Sequence, residues 1–409
     1  MESTAHGLFT GLVYPAIKTK GDTVPLKKFR QFTIVLAALS ASTAFAQSDD
    51  TAPAVPEVEE SDVAVLPDAS SHWFLSFFSF RNPAQLINGD TGKLLGSVHV
   101  APMSNIAFAP DRKHIYVAET IWTKGNRGTR QDMITVYDGR TLKLDYEITL
   151  PGRLLVGLRN NTLSLSADGR YAYVYDMSPA SSIIIVDLEK REVAASVEIP
   201  GCAMAFAAGN EKILSICGDG SFAITTHSGD TANVEQTEPF FPVDDDPIYD
   251  NSVLDPATGK GYFLSYSGLV YEVIAGGTVQ TAEPWSLQEG AHMPRATTEP
   301  LIVSWLPGGL QPIAYHPETG RLYVLMHKGE FWSFKEAGEE LWEVDAATHK
   351  VLRRVALKQP ITSVAITGDD APLLLLGGGD GSVHIWDAAS LSEKSMFHTQ
   401  GPSTFVVMP

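Results

Sequence analysis

The feature that most constrains this chain is a repeat. From about residue 70 onward, short β-branched and aromatic runs alternate with Asp, Asn, Gly and Pro turn clusters, and no stretch carries a sustained 3.6-residue period. One unit recurs as a strand ending in an aliphatic or aromatic residue and Asp, a short turn, then another strand. It occurs at Val136-Tyr137-Asp138, Val186-Asp187, Val344-Asp345 and Ile385-Trp386-Asp387, with a weaker copy at Asn88-Gly89-Asp90. A second unit precedes it, an apolar strand, a turn and a strand, at 107–117, 163–174, 253–263, 313–324 and 364–374. Copies follow one another at roughly 40 to 60 residues, the one-blade period of a β-propeller. Dividing about 340 residues by about 48 per blade predicts an all-β, seven-bladed β-propeller over 71–409, one cooperative domain because a blade cannot bury its faces alone. Two stacked β-sandwiches are the competing architecture.

The first 46 residues read differently. Lys27, Lys28 and Arg30 precede an apolar run from Phe32 to Leu39, which passes through small residues to Ala44, Phe45 and Ala46. That is the layout of a secretory signal cleaved after Ala46, with a membrane anchor as the alternative. Residues 1–23 sit awkwardly before the basic region, and Val24 is a candidate for the true start. Residues 47–70, rich in Pro, Ala and Glu, are expected to form a flexible acidic arm. Beyond the signal no apolar run is long enough to span a membrane. Cleavage leaves 25 basic against 46 acidic residues, a net charge of minus 21. A chain so acidic is a poor partner for nucleic-acid phosphates.

Candidate chemistry is sparse. Cys202 and Cys217, the only cysteines, flank a strand in a chain read as exported. An intrachain disulfide is the expected state, and a catalytic thiol the alternative, which lacks a neighbouring His. No metal-ligand spacing occurs among the 11 His. Asp244-Asp245-Asp246 lacks the spacing of a calcium loop and reads as a solvated turn. Gly377-Gly378-Gly379-Asp380-Gly381 lies between strands, with no helix start to hold a phosphate, and reads as a hairpin turn. No catalytic residue and no metal site is assigned.

Two segments suit an interface. The aromatic run Trp73, Phe74, Phe77, Phe78 and Phe80 places rings on both strand faces, more than one blade can bury. The segment 281–307, with Trp285, Met293, Arg295 and Trp305, breaks the period, and long insertions are where a propeller places ligand or partner contacts.

The pattern as a whole resembles the large, or heavy, subunit of quinoprotein amine dehydrogenases, from about Phe77 to the C-terminus. The resemblance is carried by the order and spacing of Arg127 to Asp132 leading into Val136-Tyr137-Asp138, Ser178-Pro179-Ala180, the Cys202 and Cys217 pair, Gly218-Asp219-Gly220, Asp245 to Ile248, Pro284 to Leu287, and Trp305 to Gly309. Details at 216–220 and 284–287 lean toward enzymes for aromatic amines over methylamine. The resemblance implies a non-catalytic subunit in a periplasmic assembly of two large and two small chains. It implies no cofactor in this chain and a tryptophan tryptophylquinone on the small one, oxidative deamination of a primary amine to an aldehyde, and a small copper protein as electron acceptor. A disulfide between Cys202 and Cys217 carries over. Arg127, Arg130 and Asp132 carry over only as an inter-strand structural group. The family's channel-mouth Phe falls near Phe77, Phe78 and Phe80, but the match is out of register and the role is assigned to none of them. A free-standing exported propeller that scaffolds another protein is the alternative. A propeller enzyme with its own metal ring is disfavoured, since neither acids nor His recur at the inner-strand position.

Overall fold

The structure, a computed structural model, describes residues 65–409 apart from 79, 156–158 and 400; of Arg81 and Asn82 only the backbone is described. The export signal, the Val24 start and most of the acidic arm lie outside the described residues. From Leu66 the arm is already docked: its N–H donates to the Arg140 carbonyl at 2.8 Å, and the Arg140 side chain returns a bond to the Leu66 carbonyl at 3.3 Å.

The described residues form antiparallel sheets arranged as a β-propeller. Blade 1 joins Thr404–Val407 to Trp73–Phe78, Arg81–Asn88 and Lys93–Val98. Blade 2 is Asn105–Phe108, His114–Trp122, Arg130–Asp138 and Leu144–Leu150; blade 3 is Leu163–Leu165, Tyr171–Asp176, Ser182–Asp187 and Glu192–Glu198. Blade 4 is Cys202–Ala207, Lys212–Cys217, Phe222–Ser228 and Thr231–Gln236. Blade 5 is Val253–Asp255, Lys260–Leu264, Leu269–Ile274 and Gln280–Thr281, with Trp285–Ser286 also on Leu269–Ile274. The remaining strands form one eight-stranded sheet.

This corrects the expected count of seven: five discrete blades stand beside one continuous sheet. The reason is the 17-residue strand Lys350–Ile366. Its first part pairs with Gly338–Asp345 and its second with Leu373–Gly378, so the hydrogen-bond ladder runs unbroken from one hairpin into the next. The innermost strands touch in turn, and the C-terminal strand closes the ring on the first, with Phe74 opposite Val407 and Phe77 opposite Thr404.

Burial follows position in the blade. Tyr171–Asp176 and Ser182–Asp187 are buried at every residue because both faces meet neighbouring blades, whereas the outer strand Glu192–Glu198 is exposed at its two ends. Between blades 2 and 3, Ile134 and Val136 pack with Ala172, Val174 and Ile184 in one apolar cluster.

The Asp repeat has a single physical cause. Each such side chain accepts from backbone N–H groups two and three residues on: Asp138 from Arg140 and Thr141, Asp187 from Glu189 and Lys190, Asp345 from Ala347 and Thr348. The residue four beyond each is left-handed: Leu142, Arg191, His349 and, after Asp387, Leu391. In the weaker copy, Asn88 accepts in the same way and Gly92 takes that place. Each of these turns sits beside a register shift in its hairpin, a turn with a bulge built in.

Antiparallel order gives the ring two unlike ends. One carries these tight turns. At the other emerge the blade-to-blade connections and the turns between second and third strands, including the long segments 123–129, 151–162, 237–252 and 330–337. Loops of this length are where a propeller presents contact residues.

Candidate functional site

At the long-loop end the aromatic run divides. Trp73, Phe74 and Phe77 are buried, Phe78 is half-buried and Phe80 is 49% exposed, its ring edge-on to Phe78 at 5.5 Å. Two of the five rings therefore meet solvent, and the rest are core.

A second aromatic group, not singled out in the sequence, stands on the hairpin 330–337. Trp332 is 60% exposed. Beneath it Tyr266 and Phe334 stack at 4.1 Å and 11°, and Tyr249 is tilted against Tyr266 at 4.8 Å. The Tyr249 hydroxyl donates to the Pro307 carbonyl at 2.7 Å, which fixes this platform to the next strand. His327 lies 2.8 Å from the Ser333 hydroxyl, and burial pushes its imidazole below the ordinary range. The segment 281–307 ends beside this sheet with Leu301, Ile302 and Val303 exposed at 83, 47 and 62%, and Leu301 is left-handed. Apolar residues so exposed next to a rigid aromatic platform mark a contact surface. The run Phe331 to Phe334 was the signal available in the sequence, similar in kind to that at 73–80.

The basic motif proves to be two things. Arg130 pairs with Asp132 at 2.8 Å, and Asp132 accepts from the Thr120 hydroxyl on the adjacent strand at 2.5 Å. Arg130 pairs within its own strand and reaches the Arg153 loop carbonyl, and of the two only Asp132 holds the expected inter-strand role. Arg127 does not: its side chain is exposed and has no partner among the described residues. The residue that organises the cluster is Arg153, 2% exposed, which sequence reasoning missed. It donates to Thr120 Oγ1 at 2.9 Å, to the Met103 carbonyl at 2.5 Å and to Asn105 Oδ1 at 3.1 Å. Its own carbonyl accepts from Arg130 at 2.7 Å. Burial pulls the guanidinium down to about 10, against the pull of Asp132, so it stays charged at neutral pH. Nearby, Glu119 accepts from the Thr135 hydroxyl at 2.5 Å and the Ala101 N–H at 2.7 Å, and burial raises the Asp176 carboxyl.

Polar links cross the centre of this end, and one set joins blades that are not neighbours. Arg159 pairs with Asp250 at 2.5 Å, and Asn161 donates to the Asp250 and Ser252 carbonyls at 3.0 and 3.2 Å, joining the loop before blade 3 to the one before blade 5. Asn251 donates to the Leu310 carbonyl at 2.5 Å, and Gln311 exchanges bonds with Phe405 at 3.1 and 3.3 Å.

The remaining sequence candidates resolve simply. Cys202 and Cys217 face each other on paired strands and are disulfide-bonded. Gly377 and Gly378 end a strand that pairs with Ser382–Asp387, and Gly381 turns the hairpin. The acidic run is corrected in part: Asp244 and Asp245 are exposed, but Asp246 is buried, accepts from Ser267 N–H and Oγ at 2.9 and 2.6 Å, and is raised by burial. Among the described residues no group of three or more His, Cys, Asp or Glu could hold a metal ion. No described helix is long and apolar enough to cross a membrane.

Residues 75–408 match the family model of the methylamine dehydrogenase heavy chain, so the match takes in almost the whole propeller. The chain belongs to that heavy-chain family. It is 26% identical over 353 residues to the methylamine dehydrogenase heavy chain of Methylophilus methylotrophus, covering 83% of this chain and 85% of the relative. With the heavy chain of Methylobacillus flagellatus it shares 28% over 301 residues, 73% of each, and with that of Paracoccus versutus 28% over 311 residues, 75% of this chain and 71% of the relative. Among solved structures, a dihydro-heme d1 dehydrogenase in complex with DHE superposes with a TM-score of 0.52 at 13% identity, over 84% of this chain and 77% of that one, a likeness of fold alone. Heavy-chain membership implies a light-subunit partner and a quinone on that partner. The exposed aromatic and apolar residues of the long-loop end are thus the heavy chain's candidate contact surface.

Proposed function

We propose that this protein is the large subunit of an exported amine dehydrogenase, which holds a small quinone-bearing subunit and shapes the way its substrate enters. The observation that carries this reading is the heavy-chain match across 75–408, the length of the propeller. When bound, the partner's tryptophan tryptophylquinone supplies the oxidative deamination of a primary amine to an aldehyde. This chain contributes shape: Phe78, Phe80, Trp332 and 301–303 offer apolar surface at one end, and the buried Arg153 cluster holds the adjoining loops. The assembly proposed is two large and two small chains in the periplasm, reached through cleavage near Ala46, with a small copper protein taking the electrons.

For the substrate, the residues at 216–220 and 284–287 favour an aromatic amine, while the relatives' names favour methylamine. Purifying the protein from its own cells and recording its absorption spectrum before and after each amine decides between them. Bleaching of a quinone band by phenylethylamine at lower concentration than by methylamine supports the aromatic reading, and the reverse order the other. A preparation without a chromophore that responds to neither amine contradicts the proposal.

A further inference from the structure

Blade 2 carries a hairpin that projects beyond its neighbour's. Its strands His114–Trp122 and Arg130–Asp138 are nine residues each, against six for Tyr171–Asp176 and Ser182–Asp187 of blade 3. The pairing runs on through Thr120 opposite Asp132, Ile121 opposite Gln131 and Trp122 opposite Arg130, so the tip 123–129 stands out from the long-loop end. All seven tip residues are exposed. From residue 120 to 131 there are three cations, Lys124, Arg127 and Arg130, and no acid, in a chain of net charge minus 18.

The tip is ordered. The Thr123 N–H donates to the Thr129 carbonyl at 3.2 Å, Lys124 N–H to the Arg127 carbonyl at 3.0 Å, and Thr129 N–H to Thr123 Oγ1 at 3.0 Å. Gly128 is left-handed at φ 97°, and a Cβ there would strike Thr123 Oγ1. At its base Asp132 engages Arg130, and Arg153 clamps Thr120 from below. Arg130 is therefore spoken for, but Lys124 and Arg127 reach no acidic group among the described residues, although the surface around the ring is rich in carboxylates. Two unpaired cations on a preorganised tip lose little entropy on docking, and Arg presents a fork suited to carboxylates.

We propose that this hairpin is an electrostatic grip for an acidic surface of the light subunit, with Lys124 and Arg127 pairing to its Asp and Glu side chains. The inference rests on the heavy-subunit reading and adds to it the surface and the chemistry of contact. The hairpin places exposed positive charge on a chain of net charge minus 18, so it acts first on the rate of assembly and on its sensitivity to salt.

The test is made on the assembly as purified from its own cells, with tagged wild type, Lys124→Glu/Arg127→Glu, and the neutral pair Lys124→Gln/Arg127→Gln. The ratio of light to heavy chain is read by intact mass at 20 and 300 mM NaCl. Wild type should retain the light chain at low salt and lose it progressively at high salt. Charge reversal should cut low-salt retention at least tenfold, with the neutral pair between, and all three heavy chains should melt at the same temperature. Retention equal to wild type in both variants overturns the grip while leaving the heavy-subunit reading standing. Wild type without a light chain at either salt overturns both. Sedimentation of wild type with phosphatidylglycerol vesicles, abolished by charge reversal, would assign the hairpin to a membrane surface and overturn the protein contact.

Discussion

Replacing Arg153 by Met tests how the long-loop end is held together. The side chain is 2% exposed and makes three hydrogen bonds, to Thr120, Met103 and Asn105, which lie on two separate segments. Charge-assisted bonds of this kind contribute about 1.5–3 kcal/mol each in net terms, and removing one partner of a buried charged network costs about 3–5 kcal/mol in total. Met keeps the apolar stem and removes the cost of burying a guanidinium, which offsets part of the loss. It leaves the Met103 carbonyl and Asn105 Oδ1 without that donor, and the buried Asp132 with Arg130 as its remaining cation. A net loss of about 3 kcal/mol follows. Arg153→Lys, a single ammonium that cannot span acceptors on both segments, should lose about 2 kcal/mol. Urea unfolding at pH 7 measures the loss, and hydrogen exchange should speed up selectively in 99–105 and 120–132. An Arg153→Met variant within about 0.5 kcal/mol of wild type would refute the assignment of this residue as the clamp.

Three further outcomes can be checked by unfolding. Asp345 is held down at about 2, first by the Thr348 backbone N–H and then by Arg321, so its contribution is complete above the usual carboxylate range and lost as pH falls toward 2. The stability gap between wild type and Asp345→Ala should be about 1–2 kcal/mol at pH 7 and narrow between pH 4 and 2 in urea titrations; a constant gap would contradict this. Gly220 is left-handed at φ 89°, and a Cβ would run into the Phe241 carbonyl oxygen, so Gly220→Ala should cost more than about 1 kcal/mol in urea midpoint experiments. Removing the disulfide with Cys202→Ala/Cys217→Ala opens a 15-residue loop and should cost about 3 kcal/mol at equilibrium.

What was legible in the sequence was what repeats. Asp138, Asp187, Asp345 and Asp387 advertise the same turn because each satisfies the same backbone donors, and such local chemistry is visible residue by residue. The separation of the sheets was not: whether Lys350–Ile366 bends into a loop or runs straight through depends on pairing with Gly338–Asp345 and Leu373–Gly378, which no local pattern reveals. The cysteine pair was readable because only one pairing exists. Arg153 was invisible for the opposite reason. An Arg after a Pro-Gly turn reads as surface, and only the meeting of segments near 103, 120 and 153 buries it. The aromatic run at 73–80 announced an interface that its own burial reduces to Phe78 and Phe80, while the comparable run at 331–334 holds the more exposed Trp332.

The central claim is that this propeller works as the heavy half of an amine dehydrogenase. Native mass spectrometry of the protein purified without tags from its own cells tests it most directly. The account predicts a complex in which each copy of this chain, beginning near Gln47, is matched by one much smaller chain. A lone propeller chain, or a partner that is not a small quinone-bearing subunit, would contradict it.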